Sequence, residues 1–200
     1  MILGIDSQTF KKRGENMVVF IGCSSSNDVD KLYIEETKKL AQMLCEHNCT
    51  LMFGSSEDGM MGTIYKVFKE NNCRVISVLP KENYGMLQEV DSDEKIFVSK
   101  TSDQLKYLVN NGDITIILPG SFGTLSELMT SIQCKKLGEH NKPIIIFNIN
   151  GFYDKILEQF EKFKEEKFDL YDQDELYEVI NHYREIGKYV SKGDDSHDWK

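Results

Sequence analysis

Short apolar runs alternate along the chain with stretches whose apolar residues return every three or four positions. The runs are Met17 to Ile21, Thr50 to Phe53, Arg74 to Leu79, Ile114 to Leu118 and Pro143 to Phe147, with a weaker one at Lys95 to Ser99. Continuous apolar character without alternation predicts strands buried on both faces. Between them, helices are expected over Leu32 to His47, Met60 to Asn71, Asp103 to Asn110 and Thr124 to Leu137. In the first of these Leu32, Leu40, Met43 and Leu44 share one face, as an amphipathic helix requires. Two further helices, Tyr153 to Lys167 and Asp174 to Lys188, complete the pattern, and the aperiodic stretch from Lys81 to Glu94 reads as a loop over the sheet edge. Strands alternating with helices imply parallel βαβ units. The expected fold is therefore α/β, a Rossmann-like parallel sheet with helices on both faces, in a single domain over residues 17–190. Residues 1–16 read as an N-terminal extension and 191–200 as a polar tail. Met17 stands directly before the first strand, so removal of 1–16 is expected to leave stability and binding unchanged.

Composition narrows the function classes. The net charge is −9, and residues 151–200 alone carry fourteen Asp/Glu against eight Lys/Arg. That balance repels nucleic-acid backbones, which call for clustered Lys and Arg. No apolar run approaches the roughly 18 residues of a membrane span. Five cysteines, with no CxxC pair, read as free thiols in a reducing cytoplasm. No nucleic acid, membrane, metal or cofactor is expected as a partner.

Candidate chemistry lies in three glycine-bearing turns that follow predicted strands, where ligands of open parallel sheets sit. They are Gly22-Cys23-Ser24-Ser25, the stretch Gly54-Ser55-Ser56-Glu57-Asp58-Gly59-Met60-Met61-Gly62, and Pro119-Gly120-Ser121-Phe122-Gly123-Thr124. The last joins a buried strand to a helix start, whose unpaired N–H groups and positive dipole end suit a phosphate. Thr124-x-x-Glu127 is also a capping box that closes a helix with no ligand. The bare four-residue pattern favours the cap; the added Gly120 and Gly123 favour a ligand. The second turn resembles a loosened dinucleotide loop, although Gly, Ser and Asp are also ordinary turn residues, and Glu57 and Asp58 bring negative charge to it.

Phe20-Ile-Gly22-Cys-Ser24-Ser25, Gly54…Gly59-Met60-Met-Gly62, Val75-Ile-Ser-Val-Leu-Pro80 and Pro119-Gly-Ser-Phe-Gly-Thr-Leu-Ser-Glu127 occur in this order. Together they resemble the Lonely guy family, cytokinin-activating phosphoribohydrolases that long carried the label "possible lysine decarboxylase". The resemblance spans residues 17–153. It implies a homodimer that cleaves the N-glycosidic bond of a nucleoside 5′-monophosphate to free base and ribose 5-phosphate. It places the phosphate on the glycine turns, at Gly22, Ser24, Gly54, Ser55, Gly59, Met60, Gly62, Pro119, Gly120, Ser121, Gly123 and Thr124. Glu127 matches the family's catalytic glutamate, and a carboxylate there steadies an oxocarbenium-like ribose and orients water.

Three departures separate the chain from the family pattern. Ser121 replaces the second glycine of the last motif, Gly54-Ser55-Ser56 replaces a run of three glycines, and Gln104 occupies the place of the catalytic arginine. The only arginines are Arg13, Arg74 and Arg184. Lys100 and Lys106 bring charge nearby without the planar fork of arginine. Two readings follow: a phosphoribohydrolase, or a nucleotide-binding or sensing protein that keeps the pocket without the reaction. Nothing marks a Schiff-base lysine with cofactor partners, so a decarboxylase is not expected. The helix from Thr124 carries Leu125, Leu128, Met129 and Ile132, buried either against a second copy or beneath the C-terminal helices.

Overall fold

The computed structural model describes residues 16–83, 90–169, 171 and 173–191. The extension up to residue 15, most of the loop after Lys81 and the tail from 192 lie outside the described residues. Strands β1 (Val18–Gly22), β2 (Thr50–Phe53), β3 (Val75–Pro80), β4 (Glu94–Val98), β5 (Ile114–Ile117), β6 (Ile144–Phe147) and β7 (Glu178–Ile180) form one sheet in the order β4-β3-β2-β1-β5-β6-β7. Every neighbouring pair is parallel. Helices α1 (Lys31–Glu46), α2 (Gly59–Glu70), α3 (Thr101–Asn111), α4 (Phe122–Lys136) and α5 (Asp154–Glu165) make the crossovers. This is the expected Rossmann-like α/β fold.

Alternate residues of the strands serve opposite faces. Val19 and Ile21 of β1 pack with Leu40 and Leu44 of α1 and Phe68 of α2. Phe20, between them, packs with Leu108 and Val109 of α3 on the other face. Beyond β5, Ile144 and Ile146 join Leu128 of α4 and Tyr153. Both faces being covered, β2, β3, β5 and β6 are buried throughout, which explains their continuous apolar runs, whereas the edge strands β4 and β7 keep partly exposed and charged residues.

The C-terminal segment differs from expectation. Asp174 to Lys188 is not a helix: one turn, α6 (Gln173–Leu176), gives way to β7, a 3₁₀ turn at Tyr183–Ile186 and the short α7 (Gly187–Val190). Leu176, Ile180 and Tyr183 carry a helical spacing, yet β6 would otherwise present an unpaired apolar edge. Val179 and Ile180 pair with Ile146 and Phe147 instead, and β-branched residues suit that place. The side chain of Glu185 then accepts from the His182 amide at 2.8 Å, starting the 3₁₀ turn. No helix among the described residues is long and apolar enough to cross a membrane.

Candidate active site

The sheet order reverses between β1 and β5, and parallel sheets open a crevice beyond such a switch point. The two strands align with Gly22 opposite Ile117. Past their ends the chains stay joined: the Leu118 amide donates to the Gly22 carbonyl at 2.9 Å, and the Ser24 amide to the Pro119 carbonyl at 3.1 Å. A cleft of about 320 Å³ opens above this pairing. Cys23, Ser24, Ser25 and Ser26 form one wall, and Ser121, Gly123, Thr124 and Glu127 the other, with Met61 between.

The wall from α4 is unusual in what it leaves open. The helix begins at Phe122, its cap Ser121 makes no side-chain cap bond, and no acidic residue stands in its first turn. Its first internal bond runs from the Leu125 amide to the Ser121 carbonyl at 2.9 Å. Among the described residues, no acceptor meets the amides of Phe122, Gly123 or Thr124. The capping box is therefore not formed: Thr124 lies inside the helix, and Glu127 does not turn back to the start. Three open N–H groups at the positive end of a helix have the chemistry that suits an anion.

Glu127 faces the same cleft from one turn further on. Its Oε2 is shut off from solvent with no hydrogen-bond partner among the described residues. Burial pushes its carboxyl up to about 8, so it holds a proton at neutral pH. Gly22 makes this placement geometrically possible, because a Cβ there would collide with Oε2. Gly120 does the same for Thr124, whose hydroxyl occupies the space of the missing side chain. The Cys23 thiol beside them is held neutral, first by burial and then by Glu127. Beneath the turn, the buried Tyr153 hydroxyl donates to the Leu118 carbonyl at 2.7 Å and meets the Gly120 amide. The open amides thus start at Ser121, the cap, rather than Gly120.

The other expected site residues fall into two groups. Gly22, Ser24, Pro119, Gly120, Ser121, Gly123, Thr124 and Glu127 converge on the cleft or support it. Gly59, Met60 and Gly62 do not present free amides: Gly59 donates to Asn27 Oδ1 at 2.8 Å, Met60 to the Ser24 carbonyl at 3.0 Å and Gly62 to the Asp58 carbonyl at 2.8 Å. Ser55 is buried with φ +70°, the left-handed conformation that favours glycine. Gln104 lies one step behind the cleft. Its Nε2 donates to the Val78 carbonyl at 2.7 Å and the Gly54 carbonyl at 3.3 Å, tying the ends of β3 and β2 together. Lys100 caps α3 and is exposed, as is Lys106; neither lines the cleft. Sequence reasoning did not single out Met61 within the second glycine turn, and it missed Ser26, Asn27 and Tyr153, which stand in no recognisable motif and are placed by contacts far apart in the chain. Among the described residues no cluster of three His, Cys, Asp or Glu is placed to hold a metal.

Fold and site together define a Rossmann-type protein with an open helix terminus and a buried carboxyl at the switch of its sheet. The chain belongs to the family described as "possible lysine decarboxylase", the Lonely guy family, whose model matches residues 61–190. It is 32% identical over 159 residues to cytokinin riboside 5′-monophosphate phosphoribohydrolase LOG2 of Arabidopsis thaliana, covering 79% of this chain and 74% of that one. With the LOG1 phosphoribohydrolase of the same plant it shares 31% over 157 residues, 77% of this chain and 72% of the other. Among solved structures, it is similar in fold to the molybdenum cofactor carrier protein of Chlamydomonas reinhardtii (TM-score 0.65, 15% identity, 88% and 98% of the chains). The molybdenum cofactor binding protein of Rippkaea orientalis is a second neighbour (TM-score 0.66, 17% identity, 88% and 96%).

Proposed function

We propose that this protein binds a nucleoside 5′-monophosphate and hydrolyses its N-glycosidic bond, releasing free base and ribose 5-phosphate. The observation that carries the reading is the meeting of three unpaired amides, at Phe122, Gly123 and Thr124, with the unpartnered Oε2 of Glu127 in one cleft. The amides take the 5′-phosphate. The ribose then lies over Glu127, where its hydroxyls supply the donors that Oε2 lacks. Such donors favour the ionised carboxylate, which stabilises positive charge growing on the sugar as the bond to the base breaks. Water adds to the anomeric carbon, and its proton leaves with the base. The relatives named as phosphoribohydrolases support the same reaction class.

The proposal includes a cytoplasmic setting, where the free thiols stay reduced, and a twofold dimer. Leu128 is buried and Leu125 and Ile132 are partly buried within the subunit, so the C-terminal elements account for most of α4's apolar face. Met129 and Leu137 stay exposed beside Phe163 and Tyr171, around a groove of about 570 Å³ between α4 and α5. A second copy covers this rim.

Incubation with a panel of nucleoside monophosphates, followed by assay of free base and ribose 5-phosphate, tests the hydrolysis; absence of both products from every nucleotide overturns it. Gln104 favours a second reading, in which nucleotide binds without turnover. Its amide is spent on two backbone carbonyls and brings no cation toward the ribose.

A further inference from the structure

The two helix N-termini that flank the cleft are treated oppositely by the chain. We propose that Asn27 is a positioning residue that closes α2 as an anion site, leaving the first turn of α4 to receive the ligand; this rests on the nucleotide-binding reading and deepens it.

Asn27 Oδ1 accepts from the Gly59 amide at 2.8 Å, while its Nδ2 donates to Asp58 Oδ1 at 2.9 Å. An N–H on one side and a carboxylate on the other fix the orientation of the amide. The next two donors of α2, Met60 and Met61, both reach the Ser24 carbonyl, at 3.0 and 3.2 Å. The Gly62 amide makes the helix's own first bond, to the Asp58 carbonyl. All four opening amides of α2 are thereby consumed, whereas three of α4 are open.

Gly59 is what allows the loop after β1 to come so near. Its φ is +57°, and a Cβ would collide with the Ser26 carbonyl. Charge acts in the same direction. Glu57 and Asp58 precede α2, against a first turn of α4 with no acidic residue, so the field at α2 repels an anion that the field at α4 attracts. Asn27 is exposed and outside the cleft. Its effect passes through Ser24 to Ser26, the wall that it and Ser24 tether to α2.

The test uses ¹⁵N-labelled full-length protein titrated with inorganic phosphate and with ribose 5-phosphate, reading amide shifts and hydrogen exchange. In the wild type, phosphate is expected to move the amides of Phe122 to Thr124 and leave Gly59 to Met61 in place. In Asn27→Ala the Gly59 amide should exchange about fivefold faster, the ratio that one ordinary hydrogen bond sustains, and should now move with phosphate. The dissociation constant for ribose 5-phosphate should rise by a similar factor. Asn27→Asp keeps the acceptor but sets a carboxylate against Asp58, so it is paired with Asp58→Asn, which exchanges the two groups; Gly59 exchange should then stay slow. Gly59 to Met61 shifting in the wild type overturns the proposal, as does an Ala variant with wild-type exchange and affinity. Phosphate that moves neither turn defeats the nucleotide reading alone, since Gly59 exchange still decides whether Asn27 closes α2. Should the Ala variant not fold, the wild-type shifts and the exchanged pair decide.

Discussion

A carboxyl held at about 8 by burial is a cost to the fold that the site imposes. Its pKa in an unfolded chain is near 4.3, so the folded protein binds more protons than the unfolded one between these values. Stability contributed by this group is therefore full in acid and falls as pH rises from about 4.3 to about 8. Glu127→Gln removes the titration without changing shape. We expect the variant to match the wild type at pH 5 and to exceed it at pH 9 by roughly 3–6 °C in Tm, the shift that 1–2 kcal/mol gives at this chain length. Equal melting curves at both pH values would mean that Glu127 is solvated. A second residue sets the rate. If Gln104 stands where a cation serves the reaction, Gln104→Arg should raise hydrolysis of at least one nucleoside monophosphate, by up to ~10²-fold, and adding Glu127→Ala should abolish the gain. An Arg variant that binds nucleotide but gains nothing favours the binding protein. Glu127 was legible from its motif; its missing partner was not, because a collision avoided at Gly22 is a fact of packing across 105 positions of chain.

At the scale of elements, α4 shows how far a motif can be read. Gly120, Gly123, Thr124 and Glu127 announce a helix start, and the capping box is the competing use of the same letters. The structure decides between them through the helix's actual first residue, Phe122, which puts Thr124 inside the first turn instead of before it. Element boundaries of this kind turn on two residues and are beyond pattern reading. The C-terminal segment was misread for a different reason: local period favoured a helix, and the exposed edge of β6 took the segment as a strand. Gly120 supplies the element-scale prediction. Gly120→Ala drives a methyl into Thr124, displacing the first turn of α4 and its open amides. We expect affinity for ribose 5-phosphate to fall at least ~10-fold, about 1.4 kcal/mol, with far-UV circular dichroism unchanged. Calorimetric titration that finds wild-type affinity would move the anion away from this turn.

For the whole molecule, the alternation of runs and amphipathic stretches was enough to give the parallel sheet, while the order of strands and the place of β7 depend on pairings remote in sequence. The exposed apolar side chains are likewise a property of the finished surface. Leu137 is 65% exposed, Phe168 85% and Phe122 89%, and isolated exposed residues of this kind call for no partner. Leu137, Met129, Phe163 and Tyr171 are not isolated, however, since all four edge the groove between α4 and α5. Lys136 and Asp169 form an ion pair across that groove, with Lys136 also over the Tyr171 ring, so its far wall is fixed and presents a defined shape. A stable twofold contact covers about 800 Å² on each partner, and such a contact centred on this groove would bury the four side chains together. We expect sedimentation at micromolar concentration to give a dimer, and Leu137→Asp to give a monomer whose Tm stays within about 2 °C of the wild type, because exposed substitutions seldom disturb the fold. A wild-type monomer at that concentration removes the proposed dimer. A dimer that survives Leu137→Asp places the contact on another face, and Phe122, beside the cleft, would then be the residue to change next.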